Sequence, residues 1–203
     1  MVRWGMVIDL KRCIGCNACS VACKAEHGTP RGVFLTRTLS REVGEYPNVK
    51  KIFIPTLCNH CRNAPCERVC PTKATHRRPD GIVLVDHAKC IGCRACYVAC
   101  PYKNRFYVRK ELLENGYFAE GLTVYEKVKY AEFVPGTMVK CTFCAHRVDE
   151  GLEPACVVTC PAEARVFGDL NDPTSNVRRL IRQRIASQLL AELGTEPSVY
   201  YVE

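Results

Sequence analysis

Cys90-Ile91-Gly92-Cys93-Arg94-Ala95-Cys96-Tyr97-Val98-Ala99-Cys100-Pro101 is the stretch that decides how this chain of 203 residues is read. Three cysteines stand at three-residue spacing. A fourth follows four residues on, and then a proline. A short loop with that spacing wraps one corner of a cube, so three thiolates reach three metal atoms, while the fourth starts the next segment and reaches a second cube. The proline's fixed φ suits a tight bend or a first helical turn. This is the spacing of a [4Fe–4S] ligand run, and the chain carries the device four times, with all sixteen of its cysteines.

Group one is Cys13, Cys16, Cys19 and Cys23, and group two is Cys58, Cys61, Cys66 and Cys70. Group three is Cys90, Cys93, Cys96 and Cys100, and group four is Cys141, Cys144, Cys156 and Cys160. Groups two to four end in Cys-Pro, whereas Lys24 follows Cys23. Val7-Ile8-Asp9-Leu10-Lys11-Arg12-Cys13-Ile14-Gly15-Cys16 matches Leu84-Val85-Asp86-His87-Ala88-Lys89-Cys90-Ile91-Gly92-Cys93, and the match runs on to Cys23 and Cys100. Groups two and four share a different tail, Cys66-(three)-Cys70-Pro71-(two)-Ala74 against Cys156-(three)-Cys160-Pro161-(two)-Ala164. The order is A-B-A-B, an internal repeat of two-cluster units. Too little chain lies between cysteines to bury much core, so the fold expected is one that needs its clusters for stability.

Eight disulfides in a secreted domain would be the alternative use of sixteen cysteines. Such a domain should be short and follow a signal peptide, but Cys13 arrives after a mixed, charged Met1–Arg12. Zinc draws pairs of cysteines from two separated knuckles. Groups one and three do not fit it, while group four, with its wide gap from Cys144 to Cys156, could serve as a zinc ribbon if it stood alone. No apolar run approaches the ~18 residues of a membrane span. The formal charge of +8 suggests nucleic acid until the thiolates are counted. Four oxidised clusters contribute about −2 each, so the basic side chains read as countercharge and a nucleic-acid role is excluded.

Gly5–Leu10, Val33–Leu39 and Val49–Ile54 have strand composition. Val177, Leu180, Ile181, Ile185, Leu189 and Leu193 recur at helical spacing, so a helix is expected over 176–193 with Ser175 as N-cap and Gly194 as stop. Pro197–Val202 reads as a strand for a sheet edge of this chain or of a neighbour. His60 and His146 stand beside cysteines and read as hydrogen-bonding loop residues, since cysteines already supply every ligand. Lys24, Arg62, Arg94, Lys103, Lys140 and Arg147 lie close to ligands and are candidates for raising cluster potentials by favouring the reduced state. No residue has the setting of a nucleophile or general base, so no catalysis is assigned to the chain itself.

With four groups in this order and no anchor, the sequence resembles the four-cluster electron-transfer subunit of the dimethyl-sulfoxide-reductase family of molybdenum and tungsten complexes. The stretch Tyr46-Pro47-Asn48-Val49 to Ile54-Pro55-Thr56-Leu57-Cys58-Asn59-His60-Cys61 is similar to subunits that work with sulfur or arsenic oxyanions. The resemblance implies that groups one and four exchange their last cysteines, as do groups two and three. One cluster then takes Cys13, Cys16, Cys19 and Cys160, and its mate takes Cys23, Cys141, Cys144 and Cys156. A third takes Cys58, Cys61, Cys66 and Cys100, and its mate takes Cys70, Cys90, Cys93 and Cys96. In the nitrate reductase branch a tryptophan replaces one group-two ligand; the position here is Cys66, so four [4Fe–4S] clusters are expected.

The fold class expected is α+β, two ferredoxin-like modules related by duplication, with long inserted loops and a C-terminal helix. Residues 1–57 with 134–203 form one module, 58–101 the other, and 102–133 an inserted, partner-facing loop. The partners implied are a large molybdopterin-binding catalytic subunit and a quinone-reactive membrane anchor or cytochrome. The location implied is the extracytoplasmic face of a membrane, by co-export with the catalytic subunit, with the cytoplasm as the alternative. A free polyferredoxin shuttling electrons between soluble enzymes is the alternative function, though the long spacers at 24–57 and 102–139 are surface a shuttle does not need.

Overall fold

The strand leading into group one lies at the centre of the molecule. In the computed structural model, which describes residues 1–118 and 121–203, Trp4–Asp9 forms β1, and Met6, Val7 and Ile8 are fully buried. Alternation along a strand sends neighbours to opposite faces. Met6 and Ile8 face the main core with Cys19, Cys23, Cys141 and Cys156, while Val7 faces a smaller core with Leu170, Val177 and Val202. β1 cannot present an edge because both sides are paired. Arg165–Asp169 (β8) runs antiparallel on one side and Val199–Val202 (β10) parallel on the other, with Ala186–Ser187 (β9) beyond it. The C-terminal segment thus enters the interior of this chain's own sheet.

Two of the other strands, Thr36–Val43 (β2) and Lys50–Leu57 (β3), form a hairpin registered from Thr36↔Leu57 to Val43↔Lys50. Its base is buried and its far end exposed. Thr75–Arg77 (β4) pairs with Val83–Val85 (β5), and Phe106–Tyr107 (β6) with Met138–Val139 (β7). The two matched sequence segments make matched contacts. Asp9 N–H donates to the Ala164 carbonyl at 2.8 Å, and Asp86 N–H to the Ala74 carbonyl at 2.8 Å. Ile8 lies opposite Arg165, and Val85 opposite Thr75, in antiparallel pairs.

Short helices carry the third cysteine of each group: Ala18–His27 (α1) holds Cys19 and also Cys23, Pro65–Arg68 (α2) Cys66, Ala95–Ala99 (α3) Cys96 and Ala155–Val158 (α7) Cys156, while Ala145–Asp149 (α6) follows Cys144. α1 packs on α7 and α2 on α3. The segment 102–133 is more than a loop, because it contains Lys110–Glu114 (α4) and Val124–Tyr130 (α5). α5 opens with a capping box between Thr123 and Glu126. The buried Glu126 carboxylate accepts from Tyr117 N–H at 2.8 Å and Thr123 N–H at 2.7 Å. Tyr117 donates its hydroxyl to the Thr29 carbonyl at 3.3 Å, and Tyr125 donates to the Ala25 carbonyl, so the segment is fastened to the end of α1.

The C-terminal helix is shorter than the spacing suggests. Ser175 caps it as expected, accepting from Arg178 N–H at 3.4 Å, but α8 covers only Asn176–Gln183. Val177, Leu180 and Ile181 bury against the outer face of the sheet. Arg184 then turns extended, and its guanidinium pairs with the buried Asp9 carboxylate at 3.2 Å. That ion pair and the β9–β10 ladder together outweigh continued helical periodicity, leaving Ile185 84% exposed. Ala191–Leu193 forms a single 3₁₀ turn, which Gly194 terminates with φ +62°.

Replacing Thr123 with Ala removes one half of the capping box, a loss of about 1 kcal/mol. Hydrogen exchange of the Val124–Tyr130 amides is expected to quicken several-fold, with the amides of β1 unchanged.

Candidate metal centres

The cysteine loops share one backbone feature. The residue before the second cysteine is left-handed in all four: Gly15 (φ +70°), His60 (φ +42°), Gly92 (φ +67°) and Phe143 (φ +53°). That conformation curls the loop so that its N–H groups turn inward, as in an anion-binding nest. Glycine serves best where the backbone must also approach a neighbour. A Cβ on Gly92 would lie 2.0 Å from the Gly136 carbonyl oxygen, and one on Gly15 would meet the Phe53 ring at 2.3 Å. A second shared turn follows each Cys-Pro. Lys73, Lys103 and Glu163 are left-handed, and their N–H groups donate to the Cys70, Cys100 and Cys160 carbonyls at 3.0–3.2 Å.

Group one lacks the proline, and its helix does not stop. α1 continues past Cys23 for another turn and carries His27 to the group-four loop, where Nε2 lies 3.2 Å from Cys144 Sγ. Burial, and then the neighbouring His146, hold His27 down to about 4, so it faces the sulfur as a neutral ring. Glu26 on the same turn binds His146 at 2.7 Å and Arg147 at 3.4 Å.

The fold brings cysteines of different groups together. One cavity is lined by Cys13, Cys16, Cys19 and Cys160, and another by Cys58, Cys61, Cys66 and Cys100. Cys23 is buried against Cys141, Cys156 and Cys144; burial first, then their charges, push its thiol far up. Cys90 and Cys70 act on Cys96 in the same way, while Cys93 is solvent-exposed. Burial likewise raises Cys61 and Cys144 to about 12. Such thiols become thiolates only against a cation. Hydrogen bonds to sulfur are already in place, from Thr75 N–H to Cys70 at 3.4 Å, Ala164 N–H to Cys160 at 3.3 Å and Phe143 N–H to Cys141 at 3.4 Å. All-sulfur donor sets are those of iron–sulfur clusters and of zinc.

The candidate cations divide. Lys140 is buried, donating to the Val83 carbonyl and, at 2.6 Å, to the Cys141 carbonyl, and its charge eases ionisation of Cys141 and Cys66. Arg147 does the same for Cys144. Lys24 lies next to Cys23, but its ammonium donates to the Val33 carbonyl (2.8 Å) and Tyr117 hydroxyl (2.6 Å), and burial lowers it to about 8. Arg62 pairs with Glu196, Arg94 lies over the Tyr107 ring and Lys103 over Tyr97, so none of these three is aimed at sulfur.

His60 is fully buried. It accepts from Val83 N–H at 3.0 Å and stacks on Phe143 at 3.8 Å between ring centroids. It therefore hydrogen-bonds inside the core between groups two and four, while His146 is a half-exposed partner of Glu26. Three side chains escape a reading by proximity in sequence: His27, Arg105 and Arg165. Both arginines are almost wholly buried and line the two four-cysteine cavities. Their signal is present in the sequence, because each stands five residues after the last cysteine of a group.

The profile of a 4Fe-4S dicluster domain matches residues 49–115 and 121–170, and that of a second 4Fe-4S dicluster domain matches 12–74. The arsenate respiratory reductase iron-sulfur subunit of Shewanella is 42% identical, over 99% of this chain and 96% of its own length. A subunit of the selenate reductase of Mesobacillus selenatarsenatis is 44% identical, over 99% of this chain and 72% of the relative. A subunit of the tetrathionate reductase of Salmonella typhimurium is 41% identical, over 98% and 72%.

Lys140→Met removes the buried cation beside Cys141 and Cys66. Redox titration followed by EPR is expected to show lowered midpoints for the clusters at groups four and two, and unchanged midpoints would mean that Lys140 sets no potential.

Proposed function

From the premise that this chain belongs to the 4Fe-4S dicluster family, among the iron–sulfur subunits of dimethyl-sulfoxide-reductase-family enzymes, we propose that it is a four-cluster wire. It joins a molybdopterin-bearing catalytic subunit to a quinone- or cytochrome-bearing membrane partner. The chain transfers electrons and does not itself catalyse, as its relatives are iron–sulfur subunits of reductases. Each [4Fe–4S] cluster, when bound, takes up and releases one electron. The observation that carries the reading is the pair of cavities, each lined by three cysteines of one group and the last cysteine of another.

The sixteen ligands are assigned as the resemblance implies: Cys13, Cys16, Cys19 and Cys160; Cys23, Cys141, Cys144 and Cys156; Cys58, Cys61, Cys66 and Cys100; Cys70, Cys90, Cys93 and Cys96. Two modules related by duplication account for the paired Asp9–Ala164 and Asp86–Ala74 contacts. The closeness of Cys58 to Cys141, whose ionisation it opposes, favours a junction between modules at that point, with Lys140 and His60 beside it. The protein's part is to hold the rings at fixed spacing, exclude water and set the local charge. The names of the relatives favour an oxyanion of sulfur, selenium or arsenic as the substrate of the whole complex. No helix of the described residues is long and apolar enough to cross a membrane, so in this reading another subunit provides the anchor. The complex works on the extracytoplasmic side, exported with its catalytic partner.

The segment 102–133 faces the partner, with Phe118, Val124 and Val128 exposed on it. Deleting 108–133 is expected to abolish co-purification of the catalytic subunit; intact assembly would remove the segment from the interface. Anaerobic purification of the complex from native membranes, with metals and co-purifying chains measured together, tests the whole reading. About sixteen irons per copy with one molybdenum or tungsten and a large pterin-binding subunit is expected. Sixteen irons without a second metal or partner would point to a free polyferredoxin, and zinc in place of iron would refute electron transfer.

A further inference from the structure

Arg105 and Arg165 stand in equivalent settings. Arg105 follows Cys100 by five residues and Arg165 follows Cys160 by five. Arg165 donates from Nη2 to Cys19 Sγ at 3.3 Å and from Nη1 to Cys156 Sγ at 3.7 Å, while Thr36 Oγ1 accepts from Nη2 at 3.0 Å. Arg105 donates from Nη1 to Thr75 Oγ1 at 3.1 Å and lies against Cys66 and Cys96. In both cases the sulfurs are the third cysteines of two different groups, Cys19 and Cys156 or Cys66 and Cys96. In the ligand assignment above, each pair of sulfurs belongs to the two clusters of one module. Arg105 Nη2 is buried without a hydrogen-bond partner, although its side chain lines the cavity of Cys58, Cys61, Cys66 and Cys100. The acceptor open to the guanidinium in that cavity is cysteine sulfur, Cys66 above all.

We infer that each of these arginines is a shared countercharge for the two clusters of its module, a positioning and potential-setting residue that raises the midpoints of both. The inference rests on the four-cluster reading above. A guanidinium suits the place because its planar fork presents donors in two directions and it keeps its charge when buried. Reduction adds one negative charge to a cluster, and a fixed cation close to both members favours the reduced state of both. No bond forms or breaks. Burial alone would lower the pKa of either arginine, but the surrounding sulfurs outweigh it, and both stay above their ordinary value. Among the described residues no carboxylate pairs with either guanidinium, so the charge is not spent on an ion pair within the protein.

The test is potentiometric EPR on the purified holo-complex with Arg165→Gln and, separately, Arg105→Gln, each checked for iron content. Arg165→Gln is expected to lower both midpoints of the module holding Cys19 and Cys156 by about tenfold in the reduction equilibrium, about 59 mV for one electron. The midpoints of the other module should stay in place. Arg105→Gln is expected to do the reverse. Full iron with unmoved midpoints, or a fall in all four clusters alike, overturns the inference and leaves the wire intact. Absence of iron from the wild-type complex would instead sink the four-cluster reading. If a Gln variant fails to load, the Met variant, neutral and unbranched, decides: both midpoints of that module are expected to fall, and two unchanged midpoints overturn the proposal.

Discussion

Putting ionised sulfur inside a protein is costly unless a cation meets it there. Nearly every feature of this chain answers to that constraint. Cys19, Cys23, Cys61, Cys66, Cys96, Cys100, Cys141, Cys144 and Cys156 are all buried. Burial and mutual repulsion hold the thiols of Cys23, Cys61, Cys141 and Cys144 protonated until a metal arrives. Iron supplies most of the missing positive charge, and the protein supplies the remainder through Lys140, Arg105 and Arg165. The excess of basic residues in the sequence is thus partly internal. Folding and cluster binding are then one thermodynamic event, because the rings of four bring together segments far apart in the chain. Cys13 and Cys160 meet in this way across most of the protein's length.

The departure at Lys24 illustrates how one residue redirects a local structure. Ahead of Cys70-Pro71, Cys100-Pro101 and Cys160-Pro161 the helices stop at Arg68, Ala99 and Val158, and a turn with a left-handed residue follows. Without the proline α1 runs on to Gly28, which terminates it at φ +55°. The added turn brings His27 to Cys144, and Glu26 to His146 and Arg147. It also provides the surface on which Tyr117 and Tyr125 rest, so the segment 102–133 is positioned by the same missing proline. Lys24 itself is turned toward that segment and away from the sulfurs. A departure in one ligand loop therefore organises the contact between group one, group four and the inserted helices.

What can be read from residues alone is whatever depends on short spacing. The four groups, the A-B-A-B repeat, the strand before Cys13 and the Ser175 cap all rest on local geometry. A helix over 176–193 is too long because apolar periodicity is blind to the Arg184–Asp9 ion pair and to the β9–β10 ladder. The basic side chains near cysteines are mixed in outcome for the same reason. Arg62, Arg94 and Lys103 are close in sequence, yet they turn to Glu196, Tyr107 and Tyr97. Arg105 and Arg165 lie further along but reach the sulfurs, since the turn after Cys-Pro folds the following strand back over the ligand loops. Distance along the chain is a poor guide where the backbone turns between the Cys-Pro pair and the following strand.

The wire depends above all on each cube being held by three cysteines of one group and one of another. Diffraction from anaerobic crystals of the holo-complex, with anomalous maps at the iron edge, tests this directly. Four compact iron clusters are expected, with Cys160 on the cluster of Cys13, Cys16 and Cys19, and Cys100 on that of Cys58, Cys61 and Cys66. Single-ion peaks, or a cube ringed by all four cysteines of one group, would contradict it.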